Sequence, residues 1–198
     1  MKFVHLVIFG VLGIGGFVAV KDMIRPRPPT LEFFVEGDAA VVVGRTDSYS
    51  HNLVKDFVRE NPNVKTLILQ AMPGTQDVVT NTRLVRDIRE AGLATHVPSN
   101  GQIASGAVDW FIAGSPRTID CGAMIGVHSW GSPLGSRGDQ TLFDPQRGMQ
   151  RDFLKDMGVD PDFYEFTRAA AGPDDIHWLT VDEMLRFGLI AEEPDCGP

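Results

Sequence analysis

The segment Gly101-Gln102-Ile103-Ala104-Ser105-Gly106-Ala107 precedes a short apolar run, Met124-Ile125-Gly126-Val127, that leads directly to His128. Ser105 lies between small residues at the start of a helix predicted over 107–113, where the helix N-terminus favours developing negative charge. His128 ends a predicted strand, the place where open α/β sheets present functional groups. Taken singly, such a serine is most often a helix cap and such a histidine a structural side chain. Whether Ser105 and His128 form a functional site depends on the strands and helices around them.

The elements around this segment alternate between strands and helices. Apolar runs predict strands over 31–36, 39–43, 65–70, 93–97, 117–119 and 124–127, and the first two form a hairpin with Gly37 and Asp38 in the turn. Helical periodicity predicts one helix that ends near Asn61 and further helices over 77–91, 107–113, 142–157, 161–171 and 181–187. The last of these is capped by Thr180 with Glu183. This order predicts an α/β domain with a mainly parallel sheet and helices packed on it.

The N-terminus predicts a membrane anchor. Phe3 to Val20 is apolar apart from His5, which is at the lower limit of a bilayer-spanning helix, and Lys2 and Lys21 flank it. A cleaved secretory signal shares this pattern, but the small-residue cleavage site is poor. We therefore expect an uncleaved anchor over 1–22, a stiff proline-rich spacer over 23–30 and a single domain over 31–198.

Composition excludes several classes of function. The net charge of -8 and the scattered basic residues argue against a nucleic-acid partner, because phosphate binding needs clustered lysine and arginine. The two cysteines, Cys121 and Cys196, lack the spacing of a metal site, and we expect neither metal nor cofactor. In an oxidising compartment the two could form a disulfide, and two free thiols are an equal alternative.

The combined pattern resembles a known family. Leu67-Ile68-Leu69-Gln70-Ala71-Met72-Pro73-Gly74, then Gly101 to Ala107, then Ala113-Gly114 with Arg117, and then Met124 to His128 resemble the proteolytic subunits of Clp proteases and the related signal peptide peptidases. The tail Trp178 to Ile190 resembles their closing helix and strand. The similarity covers 33–190 and implies a ClpP/crotonase-like fold of repeated β-β-α units, in the periplasmic ClpP-like branch.

The resemblance also implies a catalytic triad. In that family the serine that follows a Gly-x-x-Ala start is the nucleophile, the histidine ending the next strand is the base, and an aspartate before the closing helix orients the histidine. In this sequence these are Ser105, His128 and either Asp174 or Asp175, of which we prefer Asp175. His177 in the same segment is a structural or substrate contact.

An oxyanion hole is implied by the same resemblance. The family's Pro-Gly-Gly turn supplies one backbone N–H, and here that turn reads Pro73-Gly74-Thr75. The N–H groups of Thr75 and Gly106 are therefore the expected oxyanion donors, provided that Thr75 has backbone angles open to a residue with a Cβ.

Three functions are compatible with this site. We expect a membrane-tethered serine hydrolase, with its soluble domain in the periplasm or otherwise outside the cytoplasm, acting on a peptide, protein or related amide or ester. The alternative is a non-catalytic member of the fold that binds a peptide or partner in the same cleft. A third is a crotonase-type enzyme acting on acyl thioesters. Assembly of the relatives into rings or stacked trimers implies a homo-oligomer.

Overall fold

The computed structural model describes residues 30–129 and 145–197. The predicted anchor over 1–22, most of the spacer, Trp130 and the start of the helix predicted over 142–157 lie outside these residues. Within them, the structure has no helix that is both long enough and apolar enough to cross a membrane.

The described residues form strands and helices in nearly the predicted order. They are β1 (Leu31–Glu36), β2 (Ala39–Gly44), α1 (Ser50–Glu60), β3 (Thr66–Met72), α2 (Val78–Glu90), β4 (Ala94–Val97), β5 (Gln102–Ala104), α3 (Gly106–Ala113), β6 (Arg117–Ile119), β7 (Met124–Val127), α4 (Pro145–Asp156), α5 (Phe163–Ala170), β8 (His177–Trp178) and α6 (Val181–Arg186). Two strands were not predicted, β5 and β8, because each is too short to show alternation. The capping box at the start of α6 is confirmed, since Thr180 Oγ1 accepts from Glu183 N at 3.2 Å.

The predicted mainly parallel sheet is confirmed within the described residues. β1 and β2 form the antiparallel hairpin, with Gly37 at a φ of 65° in its turn, and β2 then runs parallel to β3. After β3 the sheet divides. The first part of β3 pairs with β4, which pairs with β6, whereas Ala71 and Met72 pair with β5, which pairs with β7; all four pairings are parallel. β3, β5 and β7 therefore end at one edge of the sheet.

Helix α2 buries its apolar stripe in the core beside α1 and α3, with one departure from the prediction. Val85 and Ile88 are fully buried as expected, and Thr82 is nearly so. Val78, assigned to the same stripe, is 38% exposed at the start of the helix. The polar side chain of Asn81 is fully buried instead. A buried amide needs hydrogen-bonding partners, and those of Asn81 lie in the candidate site described below.

Arg117 on β6 joins the ends of three helices. Its guanidinium donates to the carbonyl oxygens of Ile112 at 2.8 Å, Met157 at 2.9 Å and Gly188 at 3.0 Å. These carbonyls lie at or just after the C-terminal ends of α3, α4 and α6, where unpaired carbonyl groups and the helix dipole favour a cation. Arg117 thereby fixes α4 against α3, the helix that follows Ser105.

Cys121 and Cys196 form a disulfide, which decides between the two alternatives left open by the sequence. Cys121 lies in the turn between β6 and β7, and its Cα is 5.1 Å from that of Cys196 near the C-terminus, 75 residues away. Cross-linking over a loop of this length stabilises a fold by about 4 kcal/mol in the chain-entropy model. The bond ties the C-terminal segment to the sheet.

Candidate active site

Three neighbouring strands bring the candidate residues together. Thr75 follows β3, Ser105 follows β5, and His128 follows β7, so all three lie at the edge where the parallel strands end. They line a single pocket of about 140 Å³, together with Gly106. The structure thus places four of the predicted site residues around one cavity.

Ser105 has the backbone geometry of a residue held on a strained turn. Its φ of 57° and ψ of -131° make it the one non-glycine residue with a positive φ among the described residues. Its N–H donates to Gly126 O at 3.0 Å, which fixes the turn to β7. Although Ser105 is at the N-cap position of α3, its side chain makes no capping hydrogen bond. The hydroxyl is therefore not used as a cap, and such strain is typical of functional positions.

Gly74 must be glycine because it lies against Ser105. Its φ is 127°, and a Cβ at this position would be 2.9 Å from Ser105 Cβ and 3.3 Å from Ser105 Oγ. Any larger residue would have to move the serine. The turn after β3 therefore packs directly under the candidate nucleophile.

The two expected oxyanion donors flank the serine. Thr75 is not among the residues with positive φ, so a side chain with a Cβ is compatible with its backbone. Its N–H donates to no group in the described part of the chain. Gly106 begins α3, and the first N–H groups of a helix have no partner within the helix. A Cβ on Gly106 would overlap Thr75 Cγ2, so the Thr75 side chain packs directly against Gly106.

His128 is oriented by the main chain. Its Nδ1 lies 2.8 Å from Ser129 O. A carbonyl oxygen only accepts, so Nδ1 carries the proton, and in the neutral ring Nε2 is an acceptor. Ser129 is itself held by the hydrogen bond from its N–H to Ala171 O at 2.9 Å. Neutral His128 is thus in the tautomer that a general base for a serine requires. Within the described residues, no hydrogen bond joins it to Ser105.

The structure does not bring the predicted acid to the histidine. Asp174 and Asp175 lie exposed in the turn before β8, and Asp175 Oδ1 accepts from the N–H of Ile176 at 2.8 Å. β8 pairs with β7 so that His177 is opposite Val127, and continuing this register by one residue sets Ile176 opposite His128. The register therefore places Ile176, and neither aspartate, opposite His128.

His177 has a partner of its own. Its Nε2 lies 3.0 Å from both carboxylate oxygens of Glu183, and its ring contacts the edge of Phe166. Burial raises the pKa of Glu183, but hydrogen bonds from Thr180 and His177 outweigh this effect and hold it below its usual value. These contacts join β8 to α5 and α6, which is a structural role.

A carboxylate that was not predicted from the sequence, that of Asp109, lines the pocket. Asp109 lies on the first turn of α3, and its Oδ2 accepts from Asn81 Nδ2 at 3.1 Å. The same Nδ2 donates to Gly106 O at 2.9 Å, while Asn81 Oδ1 accepts from Trp110 Nε1 and from Thr46 Oγ1. Burial raises the pKa of Asp109 to about 7, against the lowering effect of the Asn81 hydrogen bond. The sequence carried a signal, since Asp109 is the only charged residue in the apolar run 107–113.

The remaining walls of the pocket are largely apolar. They come from the start of α2, from α3 and β7, and from α4 and α5, which cover the site; the residues are Val78, Val108, Val127, Gln150, Leu154, Phe163, Tyr164 and Thr167. Apolar walls with a few convergent polar groups are typical of small-ligand and substrate sites. Within the described residues no cluster of three or more metal-binding side chains is present.

Comparison with solved structures identifies the fold. A membrane-bound stomatin-specific protease superposes with a TM-score of 0.52 at 16% identity, over 77% of this chain and 75% of that chain. The same protease in complex with a substrate peptide gives 0.52 at 18% identity, over 77% and 71%. An enoyl-CoA hydratase from Shewanella pealeana gives 0.53 at 11% identity, over 86% and 70%.

Sequence comparison adds nothing to this result. No family model matches the chain, and no curated protein matches it. At identities below one fifth the structural similarity defines the fold and leaves the chemistry to the site itself. A strand-helix order with a mainly parallel sheet, together with these neighbours, assigns the chain to the ClpP/crotonase fold.

Proposed function

We propose that the protein is a serine hydrolase, acting as a peptidase, with Ser105 as nucleophile and His128 as general base. One observation carries the proposal. Ser105 has a strained backbone and makes no capping hydrogen bond, and it lines the same pocket as His128, whose Nδ1 donates to Ser129 O. A structural serine at a helix start would instead cap the helix.

The geometry suggests the course of the reaction. His128 Nε2 takes the proton of Ser105 as its Oγ attacks the substrate carbonyl, and the N–H groups of Thr75 and Gly106 hold the resulting oxyanion. The protonated His128 then gives its proton to the leaving amine as the C–N bond breaks. Water, deprotonated by His128, releases the acyl group from Ser105. Ser129 O keeps the Nδ1 proton in place during each step.

The third member of the triad is a separate proposal. Asp175 would have to release the N–H of Ile176 and turn towards His128 to stabilise the imidazolium. Replacing Asp175 by Asn should slow acylation at least about tenfold if it does so, because lost charge stabilisation in an active site typically costs that much or more. Asp174→Asn, the exposed neighbour, is the matched control.

Labelling with a fluorophosphonate probe tests the main proposal. The full-length wild type should be labelled on Ser105, as located by peptide mass spectrometry, and Ser105→Ala should not be labelled. His128→Gln should react at least about a hundredfold more slowly, since a general base contributes about 10² to 10⁴ in rate. Folded wild-type protein that reacts no faster than Ser105→Ala would refute the assignment.

Two other functions are distinguished from hydrolysis by combining the labelling experiment with thermal protection by ligands. A non-catalytic peptide-binding protein is favoured by the absence of a Ser105–His128 hydrogen bond among the described residues, although such bonds often form only when substrate binds. Acyl-thioester chemistry is favoured by the enoyl-CoA hydratase among the structural neighbours. Protection of the protein against heat by an acyl-CoA would support thioester binding, and protection by peptides without labelling would support the binding protein.

We also propose that the domain is tethered to a membrane outside the cytoplasm. The apolar segment 3–20 and the Cys121–Cys196 disulfide support this location, since disulfides persist in oxidising compartments. Fractionation tests it: the chain should resist alkaline extraction, and its domain should be digested by protease added outside the inner membrane. A homo-oligomer, proposed from the assembly of relatives, is checked by light scattering of the detergent-solubilised chain.

A further inference from the structure

The carboxyl group of Asp109 is a part of the pocket that the proposed hydrolysis does not use. Asp109 follows Ser105 by one helical turn and lines the same cavity. Its Oδ2 accepts from Asn81, whereas Oδ1 has no hydrogen-bonding partner among the described residues. Since no buried side-chain oxygen in that part of the chain lacks a partner, Oδ1 is open to the pocket.

Among the described residues that line the pocket, none carries a positive charge that would neutralise this carboxylate. The other titratable side chains that line it are His128 and Tyr164, and no lysine or arginine is among the described lining residues. The surroundings are apolar, with Val108, Leu154 and Phe163 buried in the walls. A carboxylate in such surroundings gains most from a cationic group brought by a ligand, because a charge-assisted hydrogen bond is about twice as strong as a neutral one.

We infer that Asp109 makes this pocket select a basic side chain, that of a lysine or arginine residue, next to the carbonyl that Ser105 attacks. This inference rests on the proposed function and names its substrate class. The cavity of about 140 Å³ is close in size to an engineered one that holds benzene, and so accommodates a single side chain. Its apolar walls pack against the methylene stem while Asp109 Oδ1 accepts from the ammonium or guanidinium group.

The network of Asn81 fixes the position of this carboxylate. Asn81 uses both donors and its acceptor oxygen, through Gly106 O, Asp109 Oδ2, Trp110 Nε1 and Thr46 Oγ1. Asn81 therefore holds both the first residue of α3, the helix that follows Ser105, and the carboxylate of Asp109. Asp109 is a specificity-determining residue, since it contacts the side chain of the substrate and not the reacting atoms.

A pair of covalent probes tests the inference. Two diphenyl aminophosphonates, identical except for a lysine-like or a norleucine-like side chain, are reacted with the full-length protein at pH 8, and modification of Ser105 is followed by intact mass. The wild type should react at least about tenfold faster with the lysine-like probe, the gain expected from one charge-assisted hydrogen bond. Asp109→Asn, which keeps an oxygen for Asn81, should bring the ratio of the two rates, both measured on the variant, to about one.

A binding measurement separates this inference from the proposed function. In Ser105→Ala protein, calorimetry measures the affinity for Nα-acetyl-lysine amide and Nα-acetyl-norleucine amide, with and without Asp109→Asn. Asp182→Asn, which replaces an exposed acid on α6, is the control. Lysine preference in binding without any labelling of Ser105 would refute the hydrolase and keep the role of Asp109. Labelling with equal rates for both probes, or a lysine preference that survives Asp109→Asn, would overturn the role of Asp109 and keep the hydrolase.

Discussion

Replacing Asp109 by Asn should change the pH dependence of stability in a specific direction. Burial raises the pKa of Asp109 from 3.8 to about 7, so between these values the folded state holds a proton that the unfolded state has released. Stability from this group is therefore fully present below about pH 4 and is lost as the pH rises towards 7. Asparagine does not titrate, so the variant should lack this loss.

The size of the effect follows from the pKa difference. A difference of about three units corresponds to about 4 kcal/mol, and water in the open pocket reduces this value, so we expect about 2 to 4 kcal/mol. Relative to wild type, Asp109→Asn should gain this amount in free energy of unfolding between pH 4.5 and pH 8. Urea unfolding of the full-length protein, followed by tryptophan fluorescence across this range, measures it.

Asp77 provides a control of opposite sign. Hydrogen bonds from the backbone and side chain of Thr80 hold the pKa of Asp77 below its usual value, so its contribution is present at neutral pH and is lost as the pH falls. Asp77→Asn should therefore be less stable than wild type at pH 8 and approach it in acid. Parallel stability curves for Asp109→Asn and wild type would refute the account of a buried carboxyl in the pocket.

Three other predictions concern the turn and the disulfide. Gly74→Ala should lose about 2 kcal/mol or more of stability and should no longer be labelled by the fluorophosphonate, because the new Cβ meets Ser105. Gly37→Ala, whose Cβ meets nothing within 4 Å, should lose about 1 kcal/mol and keep its labelling. Urea unfolding measures the stability and mass spectrometry the labelling. Ser105→Gly should be about 1 kcal/mol more stable than Ser105→Ala in urea, since glycine relieves the positive φ; equal stability would mean that the turn is not strained. Cys121→Ser paired with Cys196→Ser should lower the free energy of unfolding by about 2 to 4 kcal/mol without abolishing labelling, and a change below 1 kcal/mol would contradict the cross-link.

Most of the fold could be predicted from the sequence because its longer elements carry strong local signals. The hairpin of β1 and β2, the apolar β3 and the amphipathic α2 each repeat one pattern over enough residues to be recognised. β5 and β8 could not, since three and two residues show no periodicity. The membrane anchor lies outside the described residues and stays a prediction.

The candidate site could be predicted only as far as strand order determines it. Thr75, Ser105 and His128 follow strands that the structure places side by side, and their convergence needs no further information. Asp109 was missed because its place in the pocket depends on residues of α4 and α5 that line the same cavity and are distant in sequence. Whether Thr75 can replace the family's glycine depends on its backbone angles, which no sequence pattern provides.

The predicted acid, Asp175, differs from the other site residues for a reason of strand geometry. Ser105 and His128 follow parallel strands, so a shift of one residue in a loop after them leaves both at the same edge of the sheet. The acid lies before β8, which is antiparallel to β7, and there a shift of one residue exchanges the face on which every side chain lies. In this chain Ile176 holds the place opposite His128, and the carbonyl of Ser129 bonds Nδ1. The position of a backbone carbonyl does not depend on which face a side chain takes. The hydrogen bond to Ser129 O therefore fixes the tautomer of His128 even though the Asp175 carboxylate lies elsewhere.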